Sequence, residues 1–188
     1  MTASDRVQNA LARIEAWAAA HGATLGLLPG ATEETVASLE AELGRPLPAD
    51  YRAFLRLHDG QDPDAPMPWL PHRDRLQPIA TCLDQWRFER DASEDDGVEE
   101  LSEDDVFHLT VSSPLRYPIA GSRWLDQDNT YLDFHPGPAG VDGQLLGLVS
   151  ECDWEVFGAS FAEALEEHAR RLEAGELVWS DEEGPVPA

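Results

Sequence analysis

LGRPLPADYRAFLRLHDG, residues 43–60, is the stretch on which the fold turns. Pro48 has a fixed φ suited to a first helical turn, and the N–H it lacks would have had no acceptor there, so a helix is predicted from about this residue. Tyr51, Phe54, Leu55 and His58 recur at spacings of three and four, which puts two aromatic rings and a leucine on one core-facing stripe. Arg52, Arg56 and Asp59 fall away from it. Gly60 is expected to close the helix in the left-handed conformation.

Upstream, Thr32 is expected to cap a second helix with Glu33 and Glu34 at the positive end of its dipole. Val36, Leu39 and Leu43 form its buried stripe, and it ends at Gly44. The short linker 45–47 makes the two helices a bent pair. An earlier helix over 5–20, capped by Ser4, carries Val7, Leu11, Ile14 and Ala18 on one face, is extended by Trp17 and stops at His21-Gly22. An extended segment over 24–28 and the Pro29-Gly30 turn connect it onward.

Downstream, Pro63, Pro66, Pro68, Pro71 and Pro78 forbid a long helix or a central strand through 61–78. Loops and short edge strands remain, anchored by Trp69 and Leu70. Ile79, Leu83 and Trp86 return to helical spacing over 79–90. Residues 91–105 are a dense acidic block, expected to be extended or mobile through carboxylate repulsion. Short strands are predicted over 106–111, 117–120, 131–134 and 144–149, with a spacing that suits an antiparallel meander. Ser160 and Glu163 form a capping box ahead of a last helix with Phe161, Leu165, His168 and Leu172 on one face and Gly175 at its end. The tail, 176–188, keeps Leu177, Val178 and Trp179 as an anchor and is expected to fray after them.

The 188 residues suit one domain that buries roughly two thirds of its unfolded surface. A hydrophobic content of 42% with six tryptophans argues for a folded globule despite a net charge of −24. All 13 basic residues are arginine, a compositional bias, so no single arginine is read as chosen over lysine for its chemistry. The acid excess argues against nucleic-acid binding, which needs cations on phosphates, and favours a basic protein partner. Cys82 and Cys152 have no disulfide or zinc-site spacing. No secretory signal and no apolar run of membrane-spanning length is seen, so a cytoplasmic protein with no membrane partner is expected.

Several motifs, in this order, carry a family resemblance. The first half is the acidic helix 33–43, then Leu47-Pro48, Tyr51, Phe54-Leu55 and Asp59-Gly60, followed by Trp86-Arg87. The second half is Pro118-Ile119, Asp126-Gln127-Asp128-Asn129, Leu132-Asp133-Phe134, Pro136-Gly137 and Gly143-Gln144. The two halves together resemble the Smi1/Knr4 family of the SUKH superfamily over roughly 32–175. The resemblance implies a single-domain α+β fold, a mostly antiparallel sheet packed with about five helices. On that basis residues 1–30 are an N-terminal helix and lead-in, 31–175 the family domain with an acidic insertion at 91–105, and 176–188 a C-terminal tail. In bacteria the resemblance implies an immunity protein that binds and blocks a toxin, commonly a nuclease. In fungi it implies a regulator of cell-wall synthesis that acts through protein contacts.

The residues themselves offer little chemistry. Asp133 and His135, two apart on a strand, could seed a metal or acid–base pair in a hydrolase, but a structural aspartate beside a turn histidine is the simpler reading. Asp126 and Asp128 start like a calcium loop, yet Tyr131 stands where the turn glycine belongs and Gly137 where the closing glutamate belongs. His58 is explained by the helix dipole, and no phosphate loop or nucleophile elbow is present. Trp17, Trp86 and Trp154 are read as packing residues. No catalytic residue, cofactor or metal is therefore expected. Trp69 and Trp124, set among prolines and carboxylates, join Asp104, Asp105, Asp126 and Asp128 as candidates for a partner-binding surface.

Overall fold

A computed structural model of the chain describes residues 1–64, 75–93, 99–110, 112–121, 129–149, 153–180 and 184–188. In chain order the elements are α1 (Ala3–Ala20), α2 (Glu33–Leu43), α3 (Ala49–Leu57), β1 (Arg75–Leu76), α4 (Ile79–Ala92), β2 (Arg116–Gly121), β3 (Asn129–Asp133), β4 (Gln144–Val149), β5 (Asp153–Gly158), α5 (Phe161–Glu173), β6 (Leu177–Ser180) and β7 (Gly184–Pro187). Strands β1 to β5 form one antiparallel sheet in sequence order, and β6 and β7 form a separate hairpin. This is the expected single-domain α+β fold. No helix among the described residues is long and apolar enough to cross a membrane.

Helix α3 packs against α1, α2 and α5. Tyr51, Phe54 and Leu55 are fully enclosed, as their spacing requires, and the Tyr51 and Phe54 rings meet Phe161 of α5 at centroid distances of 5.2 and 5.0 Å. Two carboxylates of the same stretch serve other helices. Asp50 Oδ2 accepts from the Ala162 amide in the first turn of α5 (2.8 Å), and Asp59 Oδ1 accepts from the Ile79 amide at the start of α4 (2.8 Å). The first amides of a helix have no partner within it, so these carboxylates fix where α4 and α5 begin.

The helix ends show local differences from expectation. Helix α1 is capped by Thr2, not Ser4: the Thr2 hydroxyl accepts from the Asp5 amide and the Asp5 carboxylate accepts from the Thr2 amide, a complete capping box. Gly60 does have a φ of +76°, but α3 is already capped at His58. What Gly60 permits is close approach, since a Cβ there would lie 2.5 Å from the Gln77 carbonyl carbon.

The sheet also departs from the expected pattern. Residues 106–110 form no strand of the sheet; their backbone groups are bound by side chains and by the backbone of residues 100–102 and 137. Ser102 Oγ accepts from the Val106 and Phe107 amides (3.0 and 3.3 Å), and the Arg116 guanidinium donates to the His108 and Thr110 carbonyls. Strand β5 fills the edge position instead; its mostly solvent-facing pattern lacks the clean alternation that marks a strand in sequence. The tail holds at its anchor as expected, with Leu177 buried in the core and Trp179 against Trp17 and His21, but residues 184–187 beyond it pair with β6 instead of fraying.

Candidate functional site

Alternation along the strands sorts the sheet into two faces. Tyr117, Ile119, Leu132 and Leu145 belong to the core shared with the helices. Their neighbours Arg116, Tyr131, Asp133, Gln144 and Leu146 point the opposite way, and the register pairs Arg116 with Asp133, Asp133 with Gln144, and Tyr131 with Leu146. That second face is covered by residues 99–110, by Glu89 of α4, whose Oε1 accepts from the Tyr131 hydroxyl (3.2 Å), and by Trp154 of β5, whose ring lies 6.4 Å from Phe107 and 6.0 Å from Tyr131.

Arg116 holds this cover in place. It is 2% exposed, its Cζ sits 4.6 Å from the Trp154 ring, and its Nε lies 3.8 Å from Asp133 Oδ1. Burial pulls the guanidinium pKa down from its usual value, while Asp133 pushes the other way. Asp133 is itself fully enclosed. Its Oδ1 accepts from the His135 amide (3.1 Å) and its Oδ2 from Gln144 Nε2 (2.9 Å), while Gln144 also reaches the Val106 carbonyl. An aspartate with both oxygens engaged and no exposed surface cannot meet a substrate. Asp133 thus has the structural role that the simpler reading gave it, and the His135 side chain turns elsewhere.

The His135 ring stacks on His108, with centroids 4.2 Å apart and planes at 15°. Glu99 completes a cluster: its Oε2 lies 3.6 Å from His108 Nδ1 and 3.5 Å from His135 Nδ1. Sequence spacing hid this group, because its members are 9 and 27 residues apart and Glu99 is one carboxylate in a run of many.

The second half of the acidic block is built into the fold, not extended or mobile. Asp105 N donates to the Ser102 carbonyl (3.0 Å), and the Asp105 and Val106 carbonyls accept from the Ala139 and Gly137 amides (2.9 Å each). Asp105 takes a φ of +55°, a conformation that aspartate tolerates better than most side chains. Gly137 is required opposite it, since a Cβ there would lie 2.7 Å from the Asp105 carbonyl carbon. This turn brings Asp104 and Asp105 together with Glu103 as exposed neighbours. Trp69, Trp124, Asp126 and Asp128 lie outside the described residues, as does Cys152; Cys82 is buried, and burial raises its thiol pKa.

Every described arginine is occupied within the fold. Arg6, Arg13, Arg45, Arg52, Arg56, Arg87, Arg90, Arg116, Arg170 and Arg171 pair with carboxylates, and Arg75 donates to the Pro63 carbonyl. A cleft between α1 and α5, about 610 Å³ in volume, is lined by Arg6, Arg13, Glu166 and Arg170, and Arg6 there is bidentate on Glu166 (2.8 and 2.6 Å).

No match was found among curated proteins. The helix pair at 33–57, the antiparallel sheet and the closing helix α5 agree in order with the motifs read from the sequence. The sequence model of the SMI1 / KNR4 family (SUKH-1) matches residues 30–167, and the chain belongs to that family.

Proposed function

We propose that this chain is a non-catalytic protein-binding module that works as an immunity protein, docking onto a basic toxin domain, a nuclease above all, and blocking it in the cytoplasm. The observation that carries this reading is the disposition of charge. The net charge is −24, with 37 acidic residues against 13 arginines, and the described arginines are spent on internal partners, so carboxylates far outnumber the cations able to neutralise them. Such a surface speeds encounter with a cationic partner and competes for the cations that would otherwise hold phosphates. Asp104 and Asp105, exposed on a turn fastened to the sheet, are the contact residues of choice, with Trp69, Trp124, Asp126 and Asp128 as further candidates.

A regulatory adaptor is the second reading, favoured by Phe88, which is 74% exposed on α4. Salt separates the two. In calorimetric titrations against basic nuclease domains, those encoded beside this reading frame first, the immunity reading expects a complex that weakens steeply with ionic strength and on replacing Asp104 and Asp105 with asparagine. An adaptor held by apolar anchors would bind its partner as well at high salt. The absence of any complex at low ionic strength would remove the immunity reading.

A further inference from the structure

The Glu99, His108 and His135 cluster has no part in the role proposed above, and its geometry calls for an explanation. Its two N···O separations, 3.6 and 3.5 Å, are longer than an N–H···O hydrogen bond of roughly 2.7–3.2 Å. They are close to the edge of a tetrahedron, about 3.3 Å, whose corners sit 2.0–2.1 Å from a central zinc ion. All three ligand atoms lie within 4.8 Å of one another. His108 Nδ1 is shielded from solvent and has no hydrogen-bond partner among the described residues, an arrangement that costs free energy unless something binds it.

The backbone presenting these side chains is held firmly. The His108 carbonyl accepts from Arg116 and the His135 amide donates to Asp133, so both imidazoles hang from the buried ion pair. Arg116 has its nearest counterion in Asp133, 3.8 Å away, and Glu99 acts on the same guanidinium only through space. Histidine nitrogen suits zinc, nickel or copper, whereas calcium and magnesium prefer an all-oxygen shell.

We propose that Glu99, His108 and His135 bind one divalent first-row transition-metal ion, zinc in the first instance. His135, whose side chain is 42% exposed, has room to turn its ring from the stack so that both Nδ1 lone pairs meet the ion. The ion clamps Glu99 to the turn after β3. This inference is independent of the immunity reading, and either can fail without the other.

The test uses the full chain, stripped with a chelator and titrated with zinc against a chromophoric competitor. One equivalent should bind at micromolar affinity or tighter, a thermal midpoint should rise with zinc, and millimolar calcium or magnesium should not compete. His135→Ala and Glu99→Gln, both at partly exposed positions, should retain the fold and weaken binding by about tenfold or more. In proton NMR the His108 and His135 ring signals should move, while those of His21 and His58, whose Nδ1 atoms face the Trp17 and Leu28 carbonyls, should not. Zinc binding of equal strength in the variants, displacement of zinc by calcium, or no saturable equivalent would each overturn the proposal, since general attraction to surface carboxylates would then account for the metal.

Discussion

Asp50 Oδ2 accepts a hydrogen bond from the Ala162 amide at 2.8 Å, joining the first turn of α3 to the first turn of α5 across 112 residues of sequence. Its other oxygen takes the Tyr51 amide (2.9 Å), and the carboxylate is 7% exposed. Asp50→Ala leaves buried amides without an acceptor and should destabilise the chain by about 1–3 kcal/mol. Asp50→Asn keeps an acceptor and should lose less. Urea midpoints of the two variants check this, and an alanine variant as stable as the parent would refute it.

His168, on the buried face of α5, gives stability a pH dependence. Burial, with a smaller contribution from Arg171, lowers its pKa from 6.5 to about 4. Above about pH 6.5 the ring is neutral in both states and its contribution is intact. As pH falls toward 4 the unfolded chain takes up a proton that the folded chain refuses, and stability drops by on the order of 3 kcal/mol. Carboxylates titrate in the same range, so the measurement is the difference between the parent and His168→Leu. The gap should narrow, or turn in favour of the variant, as the solution is acidified; parallel curves would contradict the assignment.

Removing Asp133 should act on folding and not on any reaction. Asp133→Ala strands Arg116 in a buried site and should cost about 3–5 kcal/mol, with the 99–110 segment losing hydrogen-exchange protection first. Replacing the pair together, as Arg116→Met with Asp133→Leu, should recover part of the loss. Protection of 99–110 that survives in the single variant would show that the segment is held by other contacts.

Leu177 is 7% exposed and belongs to the core, so the hairpin β6–β7 contributes to stability. Leu177→Ala should destabilise by about 2–5 kcal/mol, and ending the chain at Gly175 should cost at least as much. A chain as stable without these residues would mark the tail as dispensable.

Much of the fold was legible from local signals. The stripe Tyr51, Phe54, Leu55, the stripe of α5, the Thr32 cap and three strands of the meander stand where periodicity and turn residues put them. Strand β5 was not legible, because an edge strand with few buried side chains shows no period. Residues 106–110 form no strand of the sheet for the opposite reason: they have strand character, but Ser102, Arg116 and the backbone of 100–102 and 137 bind their backbone groups. Charge repulsion predicts an extended chain at Asp104 and Asp105, but the backbone contacts of Asp105 and Val106 to residues 137 and 139 offset it.

The sequence alone determined which residues enter the core and in what order the elements follow, since burial depends on side-chain character at helical or alternating spacing. It also determined the family and the sign of the surface charge. Tertiary structure alone decided which distant groups meet. Asp50 reaches α5, Asp59 reaches α4, and Glu99, His108 and His135 converge, because these contacts depend on how strand register and helix packing set separations of a few ångströms, and no local pattern encodes that.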